Sequence, residues 1–376
     1  MLVRISKSRL VDALALAGRA AASSSVISVI KGILMEAEDG ILKLSGTNLE
    51  TRLEVVLSGG DVEIKNEGSV IIPASFGDAV KAIDGDPELK IQVEEPTQTV
   101  ELSDTKGKIN FKFAGIRAEN FPETNPGSRV ADFEIAAEVL EDILKKTVFA
   151  AGRKSPKIIL EGIKFQSRDG QLKCFALDGY RAAFYFLYSF KSEPFDVIIP
   201  ASSLLQLQQL TKRGGTFKCR IYENFAAFEH SNNEDGCSAT YIVNLLNGNF
   251  PKTERLIREK NTTVVKINKT LLLQSLQRAS LTRGAVVLEI DKDGSEVKIF
   301  SEDKDKTISV SEKIAAEVKG GPLSIYFNSK FLTEPLEAIE DSEVELGFEL
   351  DVSPCQIDLS SEKRRYAYFA MPLGKE

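Results

Sequence analysis

The chain carries one histidine, His230, four cysteines and no tryptophan. A Ser-His-Asp or Cys-His mechanism needs an imidazole as general base, so it would have to run through His230. That residue sits in Phe228-Glu229-His230-Ser231-Asn232-Asn233-Glu234-Asp235-Gly236, a polar stretch that predicts a solvated hairpin turn rather than a base with a placed partner. Cys174, Cys219, Cys237 and Cys355 are isolated in sequence and fit neither a metal-ligand spacing nor a disulfide framework. Cys174 and Cys219 lie in apolar, strand-like stretches that suit a buried, inert thiol. Carboxylate pairs are weak candidates too: Asp291 and Asp293 flank a Gly turn, and an enzyme using carboxylates, such as Asp178 with Arg181, would show turnover that Asp178→Asn removes. Neither common Gly-rich phosphate loop occurs. The residues point to a binding protein with no cofactor and no metal, not to an enzyme.

A chain of 376 residues suggests two or three domains. With 43% hydrophobic and 27% charged residues it has ordinary globular composition. Its apolar runs are short and broken by charge, which argues against a membrane span. Met1-Leu2-Val3-Arg4-Ile5-Ser6-Lys7 is charged where a signal peptide needs its apolar core. Scarce cysteines fit a reducing cytoplasm. The net charge of -7 excludes a globally basic nucleic-acid binder but not a locally basic surface.

The elements that would position any site come in three copies. Val70-Ile71-Ile72-Pro73-Ala74-Ser75 recurs as Val197-Ile198-Ile199-Pro200-Ala201-Ser202, and more weakly as Ile325-Tyr326-Phe327-Asn328-Ser329. Each leads into a helical pattern: 76–83, 203–210 and 330–339. Asp39-Gly40, Asp169-Gly170 and Asp293-Gly294 are turn dipeptides between strand-like runs. Phe121-Pro122, Phe250-Pro251 and Met371-Pro372 fall near the ends of the units. An amphipathic helix opens each unit, over 7–19, 136–150 and 268–279. Its apolar positions are Leu10, Ala13, Leu14 and Ala17, then Ala136, Val139, Leu140 and Ile143, then Leu272, Leu273 and Leu276. Such units are too long for solenoid repeats and large enough to bury their own cores. The expected domains are 1–127, 128–258 and 259–376.

Between the helices, alternating runs such as Ile41–Ser45, Leu53–Leu57, Lys108–Phe113 and Val297–Phe300 read as strands. The fold class is therefore α+β, three tandem copies of a unit with two helices and antiparallel sheets. Ser75, Ser202 and Ser329 are expected N-caps, and Pro335 should kink or end the last helix. Basic residues gather on the helices and at their ends (Lys7, Arg9, Lys269 and others), while Glu36-Ala37-Glu38-Asp39, Glu94-Glu95, Glu302-Asp303 and Glu340-Asp341 mark strands and loops. Part of this bias serves the helix macrodipole. The rest suggests a phosphate-facing surface, blind to base sequence.

Ser45-Gly46-Thr47-Asn48-Leu49-Glu50, Asp178-Gly179-Tyr180-Arg181, Gly248-Asn249-Phe250-Pro251 and Tyr368-Phe369-Ala370-Met371-Pro372-Leu373 resemble, over the whole length, the bacterial sliding clamps, the DNA polymerase III beta subunits. The resemblance implies a head-to-tail homodimeric ring of six similar domains. Helices would line the hole and sheets the rim, with double-stranded DNA threaded through without sequence preference. It also implies a processivity role, in which the DNA polymerase III catalytic subunit and the clamp loader dock through short linear peptides. The groove for these would use Leu160, Leu177, Gly179, Tyr180, Arg181, Ala182, Pro251, Arg255, Leu256, Phe369, Ala370, Met371, Pro372 and Leu373. Apolar members would bury a partner's Leu and Phe, while Arg181 and Arg255 would frame the rim. Gly179 could instead simply serve a turn, and Leu160 the core.

DNA-facing cations would be Arg19, Lys81, Lys145, Lys146, Arg153, Lys154, Lys157, Lys212, Arg213, Arg278 and Arg283, and Phe111 would pack near Leu281 of the other subunit. Several positions depart from the family pattern. Tyr180 stands where His is common, Ala182 where Leu is, and Leu177 where Thr is frequent. Ser24 stands where Arg is often found, and Ile158-Ile159 replaces aromatic residues. The tail Gly374-Lys375-Glu376 runs past the usual end. A small Ala182 beside a large Phe369 would reshape the pocket. The competing reading is a monomeric peptide-binding regulator on the same triplicated fold.

Overall fold

Among the described residues the apolar spacing read from the sequence produces six α-helices: α1 (Lys7–Ala17), α2 (Ala74–Ala82), α3 (Ala137–Thr147), α4 (Ala201–Thr211), α5 (Lys269–Ala279) and α6 (Ser329–Ala338). A computed structural model describes residues 1–60, 62–232, 236–292 and 294–374, with only the main chain at position 232. The expected turn residues Asn233, Glu234 and Asp235, the acid Asp293 and the tail residues Lys375 and Glu376 lie outside the described residues. Leu10, Ala13, Leu14 and Ala17 are all buried, as are Leu140, Ile143, Leu272 and Leu276. Among the described residues no helix is long and apolar enough to cross a membrane.

Two local expectations need correction. Ser75 and Ser202 each lie in the first turn of their helix, not at the cap, and Ser329 is the first residue of α6. The caps of α5 and α6 are asparagines: Asn268 accepts from the Leu271 amide at 3.0 Å and Asn328 from Lys330 at 3.1 Å. Nor does Pro335 end α6, which continues to Ala338. Proline offers no amide to the carbonyl four residues back, here Phe331. The Tyr368 hydroxyl donates to that carbonyl at 2.8 Å and fills the vacancy.

The chain divides into two compact units, one of residues 1–140 and 206–245, the other of 141–205 and 246–376. In the first, a five-stranded sheet has the order Glu63–Asn66, Leu2–Ser6, Glu88–Glu94, Thr99–Asp104, Asn110–Ala114. An eight-stranded sheet runs Arg129–Ala136, Thr216–Tyr222, Phe225–Asn232, Cys237–Asn244, Thr51–Ser58, Ile41–Thr47, Ile33–Glu38, Gly68–Ile72. The latter joins two repeats, because Cys237–Asn244 pairs with Thr51–Ser58, Tyr241 opposite Leu53.

His230 belongs to this sheet, which overturns the solvated-turn expectation. It is 6% exposed, 5.2 Å from the Phe217 ring, with Nε2 2.8 Å from the Gly214 carbonyl. The ladder continues through Phe217 opposite His230, so pairing carries this polar run further than its composition suggests.

In the second unit a twelve-stranded sheet begins Phe195–Pro200, Gly162–Arg168, Gln171–Leu177, Arg181–Tyr188 and continues Arg364–Ala370, Cys355–Ser360, Glu343–Phe348, Thr263–Asn268. It ends Ser309–Lys319, Glu296–Glu302, Val286–Ile290, Leu323–Phe327. Arg181–Tyr188 and Arg364–Ala370 join the next two repeats in the same manner, Ala183 opposite Tyr368. Asp39-Gly40 and Asp169-Gly170 each take positive φ at both residues, the primed turn that tight hairpins favour. Cys174, Cys219 and Cys355 are buried, and burial pushes their thiols up, that of Cys355 to about 12.

Candidate binding site

The second unit brings much of the sequence-derived groove together through strand register. Leu177 lies opposite Ala182, and Ala182 opposite Phe369. The next row on the same face is Phe175, Phe184 and Ala367. With Leu160 and Phe186 these form one apolar cluster. The Phe184 ring lies 5.4 Å from Phe369 and 5.3 Å from Phe175. Leu160 and Leu177 keep 9% and 7% exposure against 2% for Phe369, so they form a floor that solvent still reaches. Phe250 and Ile257 pack onto the cluster, while Pro251, Arg255 and Leu256 stay exposed. Ala182 leaves room in the row for Phe369 directly across from it.

A turn and the C-terminal segment supply the other wall. Asp178 Oδ1 accepts from the Tyr180 and Arg181 amides at 2.9 and 3.0 Å. Gly179 sits at φ 96°, a left-handed value that side chains resist, so it does serve the turn. Asn48 makes the same turn in the first repeat, accepting from Glu50 and Thr51 at 3.0 and 2.8 Å. Tyr180 is 65% exposed and stacks on Phe331, rings 6.4 Å apart. Its carbonyl accepts from the Met371 amide at 2.8 Å, and the Leu373 amide donates to Tyr326 at 2.7 Å. Met371 and Leu373 thereby present exposed side chains, Pro372 is half-buried and Ala370 is buried.

Arg181 is not a rim arginine. Its side chain is 10% exposed and is held by Asp178 at 3.0 Å and by Glu334. It lies over the rings of Phe331 and Phe149, 5.0 and 5.6 Å from their centroids. Burial works against its charge, but the hydrogen bond that Arg181 donates to Glu334 and the field of Asp178 outweigh it and hold the guanidinium above its ordinary range. Both carboxylates come from its own chain, so it braces the groove from below. Arg255 remains at the rim.

The basic residues separate into free and engaged groups. Arg19 and Lys81 line one crevice of about 380 Å³ with Lys31, between α1 and α2. Arg153, Lys154, Lys157, Lys212, Arg213 and Arg283 are exposed. Lys145 is exposed and 3.8 Å from Glu340. Lys146 contradicts the DNA-facing expectation: it is 5% exposed, pairs with Asp142 at 2.6 Å and lies over the Tyr185 and Tyr366 rings. Its position one turn after Asp142 on α3 draws it inward. Arg278 forks onto Glu312 at 2.6 and 2.7 Å. Lys7 donates to the Ile83 and Gly85 carbonyls and Lys269 to Ile339 at 2.7 Å, so each pins the start of one helix to the end of the other in its repeat.

Three sequence profiles of one family match in tandem: the N-terminal domain of the DNA polymerase III beta subunit over residues 1–125, the central domain over 134–252 and the C-terminal domain over 254–373. The chain belongs to the DNA polymerase III beta subunit family. It is 29% identical over 342 residues to the beta sliding clamp of Staphylococcus epidermidis and 28% to that of Staphylococcus aureus, covering 88% of each chain. Its fold matches the sliding clamp of Bacillus subtilis at a TM-score of 0.91 and 24% identity, and the beta subunit of Streptococcus pyogenes at 0.91 and 22%, over the full length of both. Membership makes it a sliding clamp of DNA replication, a processivity factor without catalysis of its own.

Sequence reading missed Phe175, Phe250, Phe331 and Glu334 as parts of the site. Phe175 was within reach, since it shares the face of Leu177 by strand alternation. Glu334 lies 153 residues from Arg181, and nothing local announces it.

Proposed function

We propose that the chain forms a head-to-tail homodimeric ring in the bacterial cytoplasm that encircles double-stranded DNA without regard to sequence. It would tether the DNA polymerase III catalytic subunit and the clamp loader through short linear peptides held in the groove. One observation carries the reading. Thr51–Ser58 and Arg181–Tyr188 each pair with a strand of the following repeat, Cys237–Asn244 and Arg364–Ala370. In the third repeat the counterpart is Ser309–Lys319, whose first half pairs only with Glu296–Glu302 among the described residues. In the first repeat Asn110–Ala114 pairs, among the described residues, only with Thr99–Asp104.

These two complementary open edges are a liability in a lone molecule. A second copy satisfies them by repeating the junction already used twice within the chain, a heterologous contact that closes. Beside the open edge of the third repeat, Leu281 and Ile308 are 69% and 42% exposed, and Phe111 lies in the opposing strand. Within each ring, Arg19, Lys81, Arg153, Lys154, Lys157, Lys212, Arg213 and Arg283 supply exposed positive charge for phosphates.

The test is retention on DNA. Protein loaded on a nicked circle should stay, and should leave when the circle is cut to free ends. Equal retention on circular and linear DNA would contradict encirclement. Sedimentation at micromolar concentration should give a dimer, and a monomer would favour the regulator reading instead. Removing residues 371–376 should abolish peptide binding and leave the dimer intact.

A further inference from the structure

The face that carries the groove does not end with its apolar rows. Along the same strands and on the same side, Phe175 lies opposite Lys164, and Lys173 opposite Gln166. A crevice of about 450 Å³ opens here, floored by Phe175 and Phe250 and walled by the segment Pro251 to Arg255. Lys164, Arg168, Lys173, Lys252 and Arg255 line it against only Asp169 and Glu254. A chain of net charge -7 thus keeps a positive hollow at this spot. Three of the cations have partners: Lys164 with Asp196 at 2.9 Å, Lys173 with Glu254 at 3.6 Å and Arg168 with Asp169 at 3.6 Å. Among the described residues no carboxylate pairs with Lys252 or Arg255.

We propose that this crevice takes an acidic segment contiguous with the apolar motif of a partner peptide. The inference rests on the groove reading above and adds a specificity-determining region to it. Two features favour a peptide as occupant. Phe175 belongs to both the groove cluster and the crevice, so a peptide leaving the groove runs directly into it. The aromatic floor also suits peptide side-chain stems, and the excess of cations suits carboxylates. None of the helix cations assigned to DNA takes part.

The experiment uses the full chain and three synthetic peptides with one Leu-Phe motif, flanked by four glutamates before it, four glutamates after it, or glutamines on both sides. One of the two glutamate peptides should bind about tenfold tighter than the glutamine peptide at low salt, and the gain should shrink as salt rises. The double variant Arg168→Gln/Lys252→Gln should erase that gain and leave the glutamine peptide's affinity unchanged. Equal affinity for all three peptides overturns the proposal, as does a gain that survives the double variant. If the glutamine peptide fails to bind, the groove reading falls first and carries this inference with it. If the double variant lowers affinity for a duplex oligonucleotide and spares the peptides, the crevice serves DNA and the proposal is wrong.

Discussion

Tyr368→Phe removes one oxygen from a side chain with no solvent exposure. That oxygen donates at 2.8 Å to the Phe331 carbonyl, the acceptor that Pro335 leaves without an amide inside α6. Burial pushes the Tyr368 hydroxyl up, so it stays protonated and donating throughout the accessible range. The variant strands a partly buried acceptor, which costs about 1–3 kcal/mol. Pro335→Ala restores a main-chain donor four residues after Phe331. In that background the same tyrosine change should cost less by about 0.5 kcal/mol or more, a coupling between residues 33 positions apart that excludes whatever the hydroxyl gains from Arg181 in both backgrounds. Urea unfolding of the four proteins gives the cycle directly, provided the midpoints move and the slopes do not. If Tyr368→Phe costs the same in both backgrounds to within about 0.3 kcal/mol, the hydroxyl is not standing in for the missing amide.

Three further outcomes are expected. Glu334→Gln leaves the buried Arg181 with Asp178 as its one paired carboxylate, and should lower stability by about 1.5–3 kcal/mol in the same assay. The Glu312 carboxyl is held below its ordinary value of 4.5, first by the hydrogen bond from Arg278; its contribution is present above that pH and fades as pH falls through the lowered folded value, so Glu312→Gln should lower stability at neutral pH, cost least in acid and thereby flatten the acid limb of a stability-pH curve. Cys174, Cys219 and Cys355 are buried with raised thiols, so a thiol reagent at pH 8 should modify only Cys237 quickly in the native protein and all four cysteines after denaturation.

The repeat plan was legible because identical turn and helix-start residues recur where the same backbone recurs. The Asx turns at Asn48 and Asp178 show why: both need an acceptor side chain at that position and a left-handed residue after it, Leu49 at 77° and Gly179 at 96°. Helix faces were legible through their apolar spacing. Long-range substitution was not. The role of Pro335 in α6 depends on a tyrosine from a strand, and the burial of Arg181 on a glutamate from another repeat. Lys146 was misread for a related reason: counting charge along a helix cannot tell a lysine aimed at phosphate from one folded back onto Asp142.

This sorting of cations bears on how DNA would be kept. Lys7 and Lys269 are spent on main-chain carbonyls, Arg9 accompanies them with hydrogen bonds to Gly59, Ser58 and Gly236, and Arg278 is neutralised by Glu312. With Lys146 also withdrawn, the positive charge left for phosphates is modest and sits on a molecule of net charge -7. Binding by charge alone weakens steeply with salt, by an amount set by the number of phosphates contacted. A surface so economical in free cations is poorly suited to long retention through affinity. It is well suited to a closed ring, in which linkage holds the DNA and each contact need only be weak enough to exchange as the ring moves.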